Sequence, residues 1–474
     1  MTSVRLRIAA GAAAFALAGC QLAPPHVRPD LPTAAGYPAE YVDDPLDGMR
    51  AYEIDFGAFI DDARLETLIG TALERNRDLA VAVARIDEAS GAFAVQRAER
   101  VPTLGATADA SRSKIVAGGA VGGFPSGAGG TLESRTVGLG VSAFELDFWG
   151  RVRNLTDAAL AEYLATTAAA RAVALSLIRE VSDTYLALLE ADARIRLAEA
   201  TLASRRQELE IAERRLDAGA VSALEVAQVE TLLTQAETEL AALRLQRAQA
   251  SNALTVLVGG PLDAELPEPA PLGEQASDVP LAAGLPSELL GARPDIIAAE
   301  QRLVAARANI GAARAAFFPS ISLTGTSGYS SSELDGLFSQ DGRTWVFGPS
   351  LTVPLFDFGR RRANVTIAEA REEAAVADYE RTIQTAFREV ADALAGRRYL
   401  AEQVAAQQRA TEAQRDLAEL ARRRYAAGVV SYLEVLDAER NLFDAEQALL
   451  QIRRIEAANL IALYVALGGG LAAE

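Results

Sequence analysis

Ala218-Gly219-Ala220-Val221-Ser222-Ala223-Leu224-Glu225-Val226 returns later in the chain as Ala427-Gly428-Val429-Val430-Ser431-Tyr432-Leu433-Glu434-Val435. Long helical patterns rich in Ala, Leu, Arg and Glu flank each copy. Glycine followed by serine therefore reads as a helix C-cap running straight into the next N-cap. Each copy is the expected tip of an antiparallel helical hairpin. The two glycines stand 209 positions apart, and the same shift pairs Gly150 with Gly359, Arg151 with Arg360, Glu180 with Glu389, Asp183 with Asp392 and Gly259 with Gly468. The chain is thus internally duplicated, and two equivalent halves are expected rather than unrelated modules.

Outward from the tips, the helical pattern keeps a seven-residue period. Val181, Leu188, Ile195, Leu202, Leu209 and Leu216 mark it on the outgoing side, and Val226, Val229, Leu233, Ala236, Leu240 and Leu243 on the return. Val435, Ala438, Leu442, Ala445, Leu449 and Ile452 repeat the return pattern. A sustained heptad predicts left-handed coiled-coil packing. Each outgoing helix, of about 65 residues, rises to about 100 Å. A further helical pattern runs from Asp62 to Glu99 and is echoed from Ser287 to Phe318, each stopping at a proline, Pro102 or Pro319.

After those prolines the period changes to two. Leu104, Ala106, Ala108 and Ala110 alternate with small polar residues. Beyond a Gly-rich loop (Gly118 to Gly130), Val137, Leu139, Val141 and Ala143 alternate again. The second half has Ile321, Leu323, Gly325, Ser327 and Tyr329, then Trp345, Phe347, Pro349, Leu351 and Val353. Two hairpins of strands about ten residues long, apolar on one side and polar on the other, fit a transmembrane barrel with a wet lumen. Four strands cannot close a barrel, and open edges are not tolerated in lipid. Two chains would give eight strands with a filled interior, and three give twelve with room for a channel. A homotrimer is the smallest assembly with a pore.

The start carries an address. Arg5 and Arg7 precede an apolar run from Ile8 to Ala18 that is too short to span a bilayer and is shaped like a secretory signal. It ends in Leu17-Ala18-Gly19-Cys20, which matches a bacterial lipobox, and Cys20 is the only cysteine. Cys20 is the expected lipidated N-terminus of the mature protein, and Gln21-Leu22 lacks the aspartate of an inner-membrane retention signal. The expected organisation is a signal peptide over 1–19 and a lipid-anchored tether over 20–61. Repeat one covers 62–260, with a β-hairpin at 102–148 and a tip at 218–223, and a linker covers 261–286. Repeat two covers 287–470, with a β-hairpin at 319–357 and a tip at 427–432, and a tail covers 471–474.

Composition narrows the function. A net charge of −18 argues against nucleic acid as a partner. His26, in the tether, is the only histidine, and no Ser/His/Asp, metal or phosphate-loop constellation is present, so no enzymatic activity and no cofactor beyond the lipid on Cys20 are expected. Only Met1 and Met49 occur, which leaves no soft-ligand ladder for copper or silver.

Further motifs join the lipobox at Cys20: Leu146-Asp147-Phe148-Trp149-Gly150-Arg151 with its echo Phe356-Asp357-Phe358-Gly359-Arg360, Phe318-Pro319-Ser320-Ile321, and the run from Arg424 to Asp437. In their order, spacing and duplication the chain resembles the TolC-like outer-membrane efflux ducts, specifically the lipoprotein branch that serves resistance-nodulation-division pumps. The resemblance implies a mainly α protein with a small β part. It implies a trimer whose twelve-strand barrel in the outer membrane continues into a twelve-helix periplasmic tube. A periplasmic adaptor would dock on the hairpin tips, here Gly219, Val221 and Ser222 with Gly428, Val430 and Ser431, and an inner-membrane transporter would supply the energy. A plain turn explains the same glycines and serines. The resemblance also implies a gate of acidic rings just inside the closed end, by position Glu434 and Asp437 with Tyr425 and Glu225 nearby. Val430 stands where some members carry a gate-linking arginine, so a latch here must use another group, Arg423 or Arg424, or rest on packing and acidic repulsion. Protein secretion and a lipid-anchored periplasmic coiled-coil scaffold are the other readings. The lipobox favours efflux over secretion, and a scaffold would need no alternating strands.

Overall fold

The computed structural model describes residues 22–40, 42, 47–115, 120–121, 124–125, 130–262, 265–277 and 279–470. The signal peptide, Cys20, most of the Gly-rich loop and residues 471–474 lie outside them. Helices α1 (Ala63–Arg75) and α2 (Arg77–Ala98) lead to strands β1 (Leu104–Ile115) and β2 (Gly130–Glu145). Helices α3 (Arg151–Asp217) and α4 (Ala223–Val258) complete the first half. The second half repeats the order with α5 (Pro294–Ala315), β3 (Ser320–Ser331), β4 (Arg343–Thr352), α6 (Arg360–Ala426) and α7 (Tyr432–Ala466). The outgoing helices α3 and α6 each have 67 residues, with both ends related by the 209-residue shift.

The chain divides into two compact units. One holds residues up to Pro29, Ile86–Ala165 and Ala299–Asp378; the other holds Asp30–Arg85, Thr166–Ala298 and Tyr379–Glu474. The first unit contains the sheet, a four-stranded antiparallel array in the order β1-β2-β3-β4. Its register pairs Leu104 with Val141, Val137 with Tyr329, and Ile321 with Leu351. A bulge between Val141 and Phe144 puts Ala143 at φ 52°, a strained value for a residue with a Cβ, and its N–H is held by Thr324 Oγ1 at 3.2 Å. Strict alternation predicted no such break. In one chain the outer edges of β1 and β4 find no strand partner among the described residues. Trp345, Phe347 and Leu351 stand 72%, 65% and 63% exposed on β4.

Asp147 and Asp357 anchor the starts of the long helices. Asp147 Oδ2 accepts from the Arg153 N–H at 2.7 Å, and Asp357 Oδ2 from the Arg361 N–H at 3.1 Å, capping helix N-termini with a negative charge. The indole of Trp149 donates to Pro319 O at 2.8 Å and stacks on Phe318, 4.6 Å between centroids, so the exit from β2 and the entry to β3 lock together. The helices of this unit meet through small residues, Ala158 and Ala161 against Ala305 and Ala308. The tether docks here too. Glu300 accepts from Arg28 at 2.8 Å and lies 3.2 Å from His26. Burial pulls its carboxyl up, but the hydrogen bonds from Arg28 and His26 outweigh that and leave it below the usual range.

In the second unit the periodic apolar stripes meet: Ala198 and Leu202 of α3 pack on Ala236, Leu240 and Leu243 of α4. Three sequence expectations change here. The helix expected over Asp62 to Glu99 is broken at Asn76, whose backbone is extended (ψ 134°) and whose Oδ1 starts α2 by accepting from the Leu79 N–H. Its echo breaks 217 positions later at Arg293, which is extended because the Cδ of Pro294 excludes the helical conformation. Residues 49–60, expected as the end of an extended tether, instead form short helical turns and bridges to Leu281, Ala276 and Gly470. Phe59 is fully buried and stacks on Tyr464 at 4.4 Å. Asp62 caps α1 while also accepting from the buried Tyr185 hydroxyl at 2.8 Å. No described helix is long and apolar enough to cross a membrane.

Candidate functional site

Both helical hairpins end in the same backbone device. Gly219 (φ 71°) and Gly428 (φ 72°) are left-handed, a conformation that costs any residue with a Cβ. The Gly219 N–H donates to Leu216 O and the Ala220 N–H to Arg215 O, each at 2.8 Å; Gly428 and Val429 repeat the pair with Tyr425 O and Arg424 O. These are Schellman caps, and they account for both glycines as turn formers. The serines differ. Ser222 Oγ accepts from the Glu225 N–H at 3.3 Å, but Ser431 makes no side-chain cap bond, contrary to the symmetric expectation. Gly219, Ser222, Gly428 and Ser431 are exposed, and Val221 and Val430 are half-buried.

The four acidic and aromatic residues marked in the sequence fall into separate contacts. Tyr425 and Glu225 meet: the Tyr425 hydroxyl donates to Glu225 Oε1 at 3.2 Å and accepts from Arg215 Nη1 at 2.5 Å, with the Arg215 guanidinium 5.6 Å from the ring centroid. This links the first hairpin to the second. Glu434 accepts from Arg424 at 2.6 Å within its own hairpin, and Asp437 pairs with Arg440 of its own helix at 3.1 Å. Arg424 is therefore the cation facing Glu434, whereas Arg423 turns to Glu419.

A second inter-hairpin link was not foreseen. Tyr432 stacks obliquely on Tyr425 at 5.0 Å and donates to Glu208 Oε2 at 3.0 Å. Burial, then Glu208, pushes the Tyr432 phenol well above its ordinary value, so it stays protonated and stays a donor. Burial, then the nearby Glu439 charge, pushes Glu208 above the usual carboxylate range. Glu439 itself is buried and accepts from Arg422 Nε at 2.7 Å. The available signal was asymmetry between the copies, since Tyr425 and Tyr432 stand where the first copy has Leu216 and Ala223.

Among the described residues no group of three or more His, Cys, Asp or Glu side chains is arranged to hold a metal ion. Partly exposed carboxylates, cations and phenols joined by short polar links can hold or release a hairpin end.

A sequence profile described as outer membrane efflux protein matches residues 68–260 and 285–469. The chain belongs to that family. Outer membrane protein OprJ of Pseudomonas aeruginosa is 42% identical over 458 residues, covering 96% of this chain and 94% of OprJ. The cation efflux system protein CusC of Escherichia coli is 40% identical over 459 residues, covering 96% and 97%. The crystal structure of the open state of the MtrE outer membrane channel of Neisseria gonorrhoeae superposes with a TM-score of 0.86 at 37% identity, over 95% of this chain and 98% of that one. This efflux protein is accordingly an outer-membrane duct of an efflux system, and its duplicated, mainly helical fold is that of trimeric outer-membrane channels.

Proposed function

We propose that three copies of this outer membrane efflux protein join their β1 and β4 edges into a twelve-strand barrel. Trp345, Phe347 and Leu351 then face lipid, and the α3–α4 and α6–α7 hairpins carry cargo through the periplasm. On this reading a periplasmic adaptor docks at the tips around Gly219, Val221, Ser222, Gly428, Val430 and Ser431, an inner-membrane resistance-nodulation-division transporter drives export, and Cys20 is lipidated. Small molecules are the cargo class. The chain's sulfur side chains are Met1, Met49 and the lipidated Cys20, and His26 is its one histidine, so any metal ion would pass without a relay.

The observation that carries the gate reading is how the hairpin ends are held: the partly exposed Arg215–Tyr425–Glu225 and Arg424–Glu434 links fasten them. Surface links of this kind are weak one by one and open at little cost. Conductance of the purified protein in planar bilayers tests it. Glu434→Arg faces Arg424 with a second cation, and Asp437→Arg removes one carboxylate per chain. Each variant is expected to raise resting conductance and lower cation selectivity, and unchanged values in both would reject the gate. Site-directed cross-linking from Val221 and Val430 to a co-expressed adaptor tests the docking, and loss of labelled palmitate in Cys20→Ala tests the anchor.

A further inference from the structure

Beneath the tips, α3, α4 and α7 enclose a cleft of about 340 Å³ with Arg194, Arg205, Glu239, Arg440, Asp444 and Gln447 in its wall. Two buried donors there have no partner. Arg205 is 5% exposed, yet its Nε–H meets no acceptor, and it forms no ion pair among the described residues. Gln447 is 7% exposed, and its Nε2 is likewise unpartnered. The orientation of that amide is fixed, because its Oε1 accepts from Arg194 Nε. Nε2 must then be the free donor.

The surrounding acids are otherwise engaged. Glu439 is held by Arg422, Glu208 by Tyr432 and Ser204, and Glu239 by Arg194. Asp444 is exposed and unpaired among the described residues. Burial weakens the hold of Arg205 on its proton more than Glu439, Glu208 and Asp444 restore it. A buried guanidinium without a contact anion is costly. Water could answer the two N–H groups, but it adds no charge to that of Glu439, Glu208 and Asp444, which does not fully offset the burial of the guanidinium, and the cleft is far larger than one water requires.

We propose that this cleft binds a small inorganic oxyanion of phosphate or sulfate size, taken between Arg205 and the Nε2 of Gln447. Because Arg205 lies on α3 and Gln447 on α7, the anion ties the two helical hairpins together beneath their tips. The site is independent of the gate reading. It concerns how far the hairpins are braced, whatever closes the end.

The test titrates inorganic phosphate at constant ionic strength, in gluconate buffer, into the full-length detergent-extracted protein, with calorimetry and thermal unfolding as readouts. One saturable site per chain is expected, weakened at least tenfold in both Arg205→Met and Gln447→Met and strengthened in Asp444→Asn, which removes a repelling carboxylate. Without phosphate, Arg205→Met should unfold no earlier than wild type, since it deletes a buried charge that the nearby carboxylates only partly offset; with phosphate, wild type should gain and the variant should not. Absence of saturable binding, or equal binding in wild type and Arg205→Met, would overturn the proposal. So would an Arg205→Met variant destabilised equally with and without phosphate, because a protein carboxylate, from Asp444 or a neighbouring copy, would then be the partner.

Discussion

The two hairpin tips share a sequence motif and a backbone but not a wiring. Arg215 and Glu225 of the first tip correspond, at the 209-residue shift, to Arg424 and Glu434 of the second. In the second tip arginine reaches glutamate directly at 2.6 Å. In the first the same two side chains are joined through a third, the Tyr425 hydroxyl, which the second copy supplies. The second tip is thus closed on itself, while the first is closed only by its sister. Duplication provided two equal ends, and two phenols in one copy, Tyr425 and Tyr432, converted equality into dependence.

Removing the bridge tests that difference most severely. Tyr425→Ala deletes the hydroxyl, the ring under Arg215 and the contact with Tyr432. As a half-buried aromatic it should cost about 2 kcal/mol, or roughly thirtyfold in local opening. Hydrogen exchange should quicken around both tips. Leu216→Ala, at the matching position of the first copy, should cost under about 1 kcal/mol and quicken only the first tip. Equal and local responses to the two changes would mean that the tips are independent after all.

The glycines should behave alike where the tyrosines do not. Gly219 and Gly428 have matching φ, and a Cβ at either would meet nothing within 4 Å. Only the left-handed backbone penalises alanine, by about 1 kcal/mol at each site. A clear inequality between Gly219→Ala and Gly428→Ala in thermal unfolding would place a hidden contact at one tip and sharpen the asymmetry further.

Acid should act on the link that the second copy makes through Tyr432. The folded-state pKa of Glu208 lies above its ordinary value of 4.5, because burial and Glu439 disfavour its charge. The folded protein therefore binds this proton more tightly than the unfolded chain does. This contribution to stability is absent above the raised pKa, grows as pH falls through it, and is complete below 4.5. The difference in thermal midpoint between wild type and Glu208→Gln should move in wild type's favour over that interval. A difference that ignores pH would mean that Glu208 is solvated.

Much of this was legible in the sequence for one reason: period and duplication are one-dimensional signals. Heptads gave the long helices, alternation gave the strands, and the repeated Gly-x-x-Ser gave the turns. The break at Arg293 was missed, since the helix was expected to run through it, although Pro294 announces it and the 217-residue shift carries it to Asn76, where no proline does. What stayed hidden depends on register between distant helices. Nothing local to Glu208 says that Tyr432 arrives 224 residues later, or that Arg205 is buried without a partner. The bulge at Ala143 was hidden differently, since its cause is the pairing of β2 with β3 on the far side from β1.

The smallest predicted effect concerns the residues on which the hairpin reading first rested. Ser222 and Ser431 occupy the same N-cap position with extended backbones, but only Ser222 Oγ accepts a helix N–H. At an exposed cap with a 3.3 Å bond, Ser222→Ala should cost about 0.5 kcal/mol, at the low end for N-caps, and Ser431→Ala should change stability by less than about 0.3 kcal/mol. The comparison is best made in the Tyr425→Ala background, where the first tip no longer leans on its sister and the cap stands alone. If Ser431→Ala cost as much as Ser222→Ala there, the second serine would also be capping in solution. The asymmetry of the tips would then reside in the tyrosines alone.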